Sequence, residues 1–223
     1  MNSSPVFRPV VGKNYHQPES PFRGRTLILG GSHYHSDPKV VRMSRADLRR
    51  EYGDFTEFIV GEYLDPERFE NWIPTFSKLI NSVYNRGTDQ SERDGFFDSV
   101  IFYNYAQEFA GGDPTQAHSI DYAAPENHES FLEVLRTHQP EFVIAWGLLL
   151  WNALRNNWGY GEADRTPLKV WDSAFDRHYV YPWEGRKITL IGTTHPSGGY
   201  ASKRHHEIFQ RAGWIDPLIH ADQ

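Results

Sequence analysis

Four short apolar runs, each stopped by glycine or a polar residue, limit the possible folds of this chain more than any other feature. They are Thr26–Leu29 before Gly30-Gly31, Ser99–Tyr103 before Asn104, Phe142–Trp146 before Gly147, and Lys187–Gly192 before Thr193-Thr194-His195. Runs this short that do not alternate in polarity belong to strands covered on both faces. Helical spacing marks the stretches between them. Arg45–Tyr63 carries Phe55, Phe58 and Ile59 on one side. A second helix is expected from Asp65-Pro66, with Phe69, Trp72, Phe76, Leu79, Ile80 and Val83 as its core stripe. Glu126–His138 presents Phe131, Leu132 and Leu135 and is stopped by Pro140, and further helices are expected over 148–156 and 202–212. The alternation predicts an α/β fold, a three-layer α/β/α sandwich with a central four-stranded parallel sheet. His178–Tyr181 adds a candidate edge strand. Sheets of this kind hold their sites in the loops at the carboxyl ends of the strands, where the unusual polar residues of this sequence fall.

A length of 223 residues fits one domain over 26–223, with 1–25 as an arm on the domain or a mobile tail. No cysteine is present, so disulfides, zinc thiolates, iron–sulfur clusters and a thiol nucleophile are excluded. No segment approaches the roughly 20 apolar residues that span a bilayer, and Met1–Val11 lacks the order of a signal peptide. An intracellular, cytoplasmic protein with no membrane partner is expected. The net charge of −6 counts mildly against nucleic acid, although a local basic face on an acidic body suffices for an enzyme that must leave each site.

Three loops could carry chemistry. Gly30-Gly31-Ser32-His33-Tyr34-His35 follows the first strand, where two glycines let backbone amides approach a ligand closely. Neither Gly-x-Gly-x-x-Gly nor Gly-Lys-Ser/Thr is present, which disfavours a nucleotide fold. Asn104 offers an amide that donates and accepts together, suited to the polar edge of a pyrimidine. His195-Pro196-Ser197-Gly198-Gly199-Tyr200 follows the last strand, with proline and glycines to fix the loop. Each alone is more often a turn or a structural histidine than a site. In the next helix Ser202 is the expected N-cap. Lys203, Arg204, His205 and His206 then fill the first turn, where the helix dipole disfavours cations. A bound phosphate would resolve that conflict; a solvated basic patch is the plainer alternative.

In this order the pieces resemble the uracil-DNA glycosylase superfamily. The first loop matches the family's Gly-x-Asp-Pro-Tyr-His motif at its glycine, tyrosine and final histidine. Asn104 stands where the family carries a base-reading asparagine. Phe142–Trp146 with Gly147 is similar to its third strand, and His195-Pro196-Ser197 to its final motif. The resemblance spans roughly 25–212, with 36–98 left over as a helical insertion or divergent segment. Two departures stand out. Ser32 and His33 replace the motif's aspartate and proline, and Gly198-Gly199-Tyr200 replaces proline, leucine and serine.

The resemblance implies a monofunctional DNA glycosylase that hydrolyses the N-glycosidic bond of a flipped uracil or modified pyrimidine. Its role would be repair, or defence against phage DNA carrying modified bases. His195 would stabilise charge developing on the base oxygen. Asn104 would hold the base edge, Tyr34 would wall the pocket, and Phe102 or Tyr103 would stack. Gly30, Gly31 and His33 would shape the pocket. Ser197, Lys203 and Arg204 would contact DNA, with Tyr200 as an intercalating wedge. Ser32, His33 or Asp37 would place the water. DNA is the implied partner; no protein partner, metal or cofactor is called for. One alternative is a nucleic-acid-binding protein of the same fold that does not cut, favoured by the missing aspartate and the acidic charge. A lesser one is a metal-dependent hydrolase using His33, His35, His195 and His205 or His206, although no HExxH or carboxylate-rich set accompanies them.

Overall fold

The computed structural model describes residues 4–111, 120–157, 169–172 and 177–216. Its strands are β1 (Val10–Val11), β2 (Thr26–Gly30), β3 (His33–His35), β4 (Val100–Asn104), β5 (Phe109–Gly111), β6 (Phe142–Trp146), β7 (Lys169–Asp172), β8 (Arg177–Trp183) and β9 (Arg186–Thr193). Its helices are α1 (Pro38–Val41), α2 (Arg45–Tyr52), α3 (Phe55–Leu64), α4 (Ile73–Tyr84), α5 (Gln90–Ser99), α6 (Pro125–His138), α7 (Leu148–Asn157) and α8 (Ser202–Arg211).

A seven-stranded mixed sheet with order β1-β4-β2-β6-β9-β8-β7 forms the middle layer. The four apolar runs pair in parallel as β4-β2-β6-β9. The expectation of four strands is too small, because β1 joins one edge antiparallel and the β8–β7 pair joins the other. Side chains alternate along each strand. Leu27, Leu29, Ile101, Tyr103, Val143, Ala145 and Leu190 meet Phe131 and Leu135 of α6 and Trp151 and Leu154 of α7. Ile28, Phe102, Ile144, Trp146 and Ile191 meet α3, α4, α5 and α8 on the other face, through Val60, Leu79, Phe97 and Phe209 among others. Each such fully buried aliphatic side chain contributes about 1.5–3 kcal/mol relative to exposure.

Several boundaries differ from the sequence expectation. The helix expected over Arg45–Tyr63 is two: Ser44 caps α2 by accepting from the Asp47 amide, and the chain turns at Gly53-Asp54 before α3. No helix starts at Asp65-Pro66. The Asp65 amide instead closes α3 on the Gly61 carbonyl, and α4 begins at Ile73 with Pro74 in its first turn. Phe69 is therefore off the core stripe and 92% exposed. Helix α5 was not anticipated. Residues 36–98 form α1–α5, and α3–α5 supply much of one helical layer. The arm lies on the domain. Val6, Phe7 and Tyr15 are fully buried, and Val10–Val11 pairs with β4. Between β5 and α6, residues 112–119 lie outside the described set.

Connection sides locate the crevice. The link from β2 runs through the α3–α5 layer, and the link from β6 runs through α7 on the opposite layer. The strand order thus reverses between the carboxyl ends of β2 and β6, where open α/β sheets bind ligands.

Candidate active site

Gly30, Asn104, Gly147 and the His195 loop all fall at one edge of the sheet, because their strands run parallel. Gly30 is in register with Asn104, and Trp146 with Thr193. From β4 to β9 is three inter-strand steps, roughly 14 Å at the usual spacing. Beyond β2 and β4 the chain continues into β3 and β5, which pair in parallel with His33 opposite Phe109 and Tyr34 opposite Ala110.

Asn104 is buried and held in one pose. Its Nδ2 donates to His33 Nδ1 at 3.0 Å, and Gln107 Nε2 donates to its backbone carbonyl at 2.7 Å. His33 Nε2 lies 3.0 Å from Thr56 Oγ1. Phe7, Phe55 and Phe109 surround the His33 ring, and burial pushes its pKa down to about 3. His33 is thus a neutral buried anchor for Asn104, and not the water-placing or base-contacting group the sequence suggested. Gly30 is required beside it, since a Cβ there would stand 2.0 Å from Asn104 Oδ1. Gly30→Ala is expected to destabilise by about 1–3 kcal/mol, the usual cost of overpacking. A urea midpoint equal to wild type would show that Asn104 swings aside freely.

Over the second glycine sits Tyr122, whose hydroxyl would be 2.7 Å from a Cβ at Gly31. Sequence reasoning missed Tyr122, and the only available signal was a large ring inside a polar loop. Ser32 Oγ is within reach of the Tyr34 and Tyr122 hydroxyls, which acidifies both phenols slightly against the larger upward push of burial. Yet Ser32 Oγ is buried without a hydrogen bond of good geometry. Tyr34 is partly exposed at the rim. Asp37 is exposed and caps α1 by accepting from the Lys39 amide, and its own amide donates to His35 Nδ1. Phe102 packs in the core against Phe76 and Trp146, with only its ring tip beneath Gly30. Tyr103 points to the opposite face, so neither ring offers an open stacking platform.

His195 is exposed at the mouth and held from one side. Ser197 Oγ lies 2.6 Å from His195 Nδ1, and the Ser197 amide donates to that same nitrogen at 3.2 Å. Nδ1 is therefore the acceptor, and Nε2 carries the proton. Crowding within the loop lowers the His195 pKa and favours the neutral ring despite the exposed edge. Gly147, at φ +94°, lets the β6 turn lie against this ring: a Cβ there would be 3.4 Å from His195 Cβ and Cδ2. The Thr194 amide donates to His205 Nε2 at 3.2 Å, which ties the loop to α8.

Tyr200 is not a free wedge. It stacks on His205 at 3.9 Å and lies 2.8 Å from Ser82 Oγ through its hydroxyl. Ser202 does not cap α8 either. Ala201 is the N-cap, without a side-chain cap bond, and Ser202 Oγ donates to the Lys78 carbonyl. Lys203 and Arg204 are exposed in the first turn of α8, which contains no acidic residue.

Among the described residues no three His, Asp or Glu side chains converge in a metal-binding set, and His33 and His205 already use both ring nitrogens. No described helix is long and apolar enough to cross a membrane. A groove of about 700 Å³ lined by Arg25, Glu141, Arg186 and Lys187 lies at the opposite end of the sheet. Its lining is remote from Asn104 and His195, so the carboxyl ends of the parallel strands remain the candidate site. The chain matches no protein-family model and no curated protein.

Proposed function

We propose that this protein is a DNA glycosylase resembling the uracil-DNA glycosylase superfamily, cleaving the N-glycosidic bond of a flipped uracil or modified pyrimidine. The observation that carries the reading is the state of His195: a neutral imidazole with Nδ1 engaged by Ser197 and Nε2–H left as a donor at the site mouth. A leaving base gains negative charge as the bond to the sugar breaks, and a fixed N–H donor stabilises it where it develops. Asn104, on the same sheet edge, supplies an amide for the base edge. The Ser32 hydroxyl stands where the family has a carboxylate, so water activation is weak. The reaction then rests on leaving-group stabilisation and on DNA phosphates beside a cationic sugar.

The test is incubation with duplex and single-stranded DNA carrying uracil, deaminated bases and bulky cytosines, followed by alkali to reveal abasic sites. Strand breaks are expected at one class of base. Tight binding without breaks on any of them would favour the second reading, a nucleic-acid binder that does not cut. Ser32 being wedged between phenols supports that alternative.

Phosphate contact is assigned to Lys203 and Arg204. Cations in a first turn oppose the helix dipole, and an N-cap without a side-chain acceptor leaves amides for an anion. Replacing both by Ala is expected to weaken cognate and non-cognate DNA alike. It should also flatten the plot of log K against log salt by up to about 0.9 per lost contact on duplex DNA. An unchanged slope would return both residues to the role of a solvated patch.

A further inference from the structure

We infer that His33 and Thr56 together hold the sense in which Asn104 presents its amide, making them positioning residues for whatever ligand edge the site reads. The inference deepens the glycosylase reading, and its first test does not depend on activity. Three observations fix the arrangement. Asn104 Nδ2 faces His33 Nδ1, so that nitrogen must offer its lone pair. A neutral imidazole with Nδ1 unprotonated carries its proton on Nε2, which then donates to Thr56 Oγ1. At the other end of the amide, Oδ1 lies against Gly30, where only α-hydrogens face it. An NH2 group in that position would press donor hydrogens on C–H hydrogens, whereas an oxygen there makes weak C–H···O contacts. The packing of Oδ1 on Gly30 fixes the amide orientation, that orientation calls for a bare Nδ1, and Thr56 Oγ1 receives the resulting Nε2–H; the hydroxyl can serve either tautomer, but its loss leaves a buried N–H unpaired in this one. Asn104 Oδ1 accepts no hydrogen bond from the described residues, so the ligand it suits brings an N–H to that point, as a ring imide or an exocyclic amine does.

Thr56 is fully buried on a helix behind the site and touches no ligand. Thr56→Val keeps its shape and removes the acceptor for Nε2–H. The Nδ1–H tautomer then becomes competitive, and it demands the opposite amide orientation. Nitrogen-15 NMR of the full chain reads this directly. In wild type, His33 is expected to show an unprotonated Nδ1 with a scalar coupling across the hydrogen bond to Asn104 Nδ2. Thr56→Val is expected to lose that coupling, and Thr56→Ser to keep it. An Nδ1–H tautomer in wild type, or a coupling that persists in Thr56→Val, would overturn the inference. On uracil-containing DNA, or on whichever base the panel reveals, Thr56→Val should lower kcat/KM by tenfold or more with DNA affinity unchanged and with recovery in Thr56→Ser. If no base is released by wild type, the glycosylase reading fails while the NMR result still decides the tautomer.

Discussion

His195→Ala is expected to lower base release by about 100-fold or more, the range lost when one oxyanion donor is removed, with DNA affinity nearly unchanged. The magnitude follows from the geometry. The ring is pinned through Nδ1, which leaves its Nε2–H as the donor. Ser197→Ala should be much milder, about fivefold, because the Ser197 amide still holds Nδ1 and one neutral hydrogen bond is worth about 1 kcal/mol. The pH dependence separates two roles for the ring. With its pKa below the ordinary value of 6.5, His195 stays neutral above that pH. A neutral donor gives a rate that is flat from about pH 6.5 to 8, whereas an imidazolium acid would lose activity as pH rises through its pKa. Near-normal release by His195→Ala would assign the stabilisation of the leaving base to another group.

The sheet was the most legible part of the fold because its signal is local. Three of the four runs are apolar through their middle, the fourth alternates Lys187 and Thr189 with Ile188 and Leu190, and the stop residues mark the strand ends to within a residue or two. The helices were less legible where tertiary contacts override spacing. Phe69 continues the stripe of Trp72 and Phe76 at a helical interval, yet the chain between Asp65 and Trp72 is not helical and the ring is left outside. Helix α5 has only Phe96 and Phe97 as large core residues, too few to show a period, although the Asp89–Glu92 capping box is readable as sequence. At the site, Asn104 and His195 could be singled out because each follows a strand. The role of His33 could not, since it depends on Thr56 and Phe55 of α3, Phe7 of the arm and Phe109 of β5, all remote in sequence. Tyr200 failed as a wedge for the same reason: its partner Ser82 lies on α4, 118 positions away.

The same burial makes His33 the largest expected source of acid sensitivity. In the unfolded chain its pKa is near 6.5, and in the folded protein burial lowers it to about 3. Above pH 6.5 the ring is neutral in both states and contributes nothing to the pH dependence. As pH falls below 6.5 the unfolded chain takes up a proton that the folded protein refuses, so stability falls by about 1.4 kcal/mol per pH unit until the folded pKa is reached. Across the window from 6.5 to about 3 the loss is on the order of 5 kcal/mol, a large share of the roughly 5–15 kcal/mol that holds a domain together. His138 and His195, also lowered by burial, act in the same direction at the top of that window. His33→Phe fills the same aromatic nest without a titrating group. At pH 7 it should be less stable by about 1–3 kcal/mol, because Asn104 Nδ2 loses its partner in a buried place. Below pH 6 its stability should fall more slowly than wild type's, so the two curves converge and then cross. Urea unfolding at pH 7, 5.5 and 4.5 measures this. Parallel curves would mean that the His33 nest opens to water before the rest of the domain unfolds, and that the ring takes its proton without costing the fold.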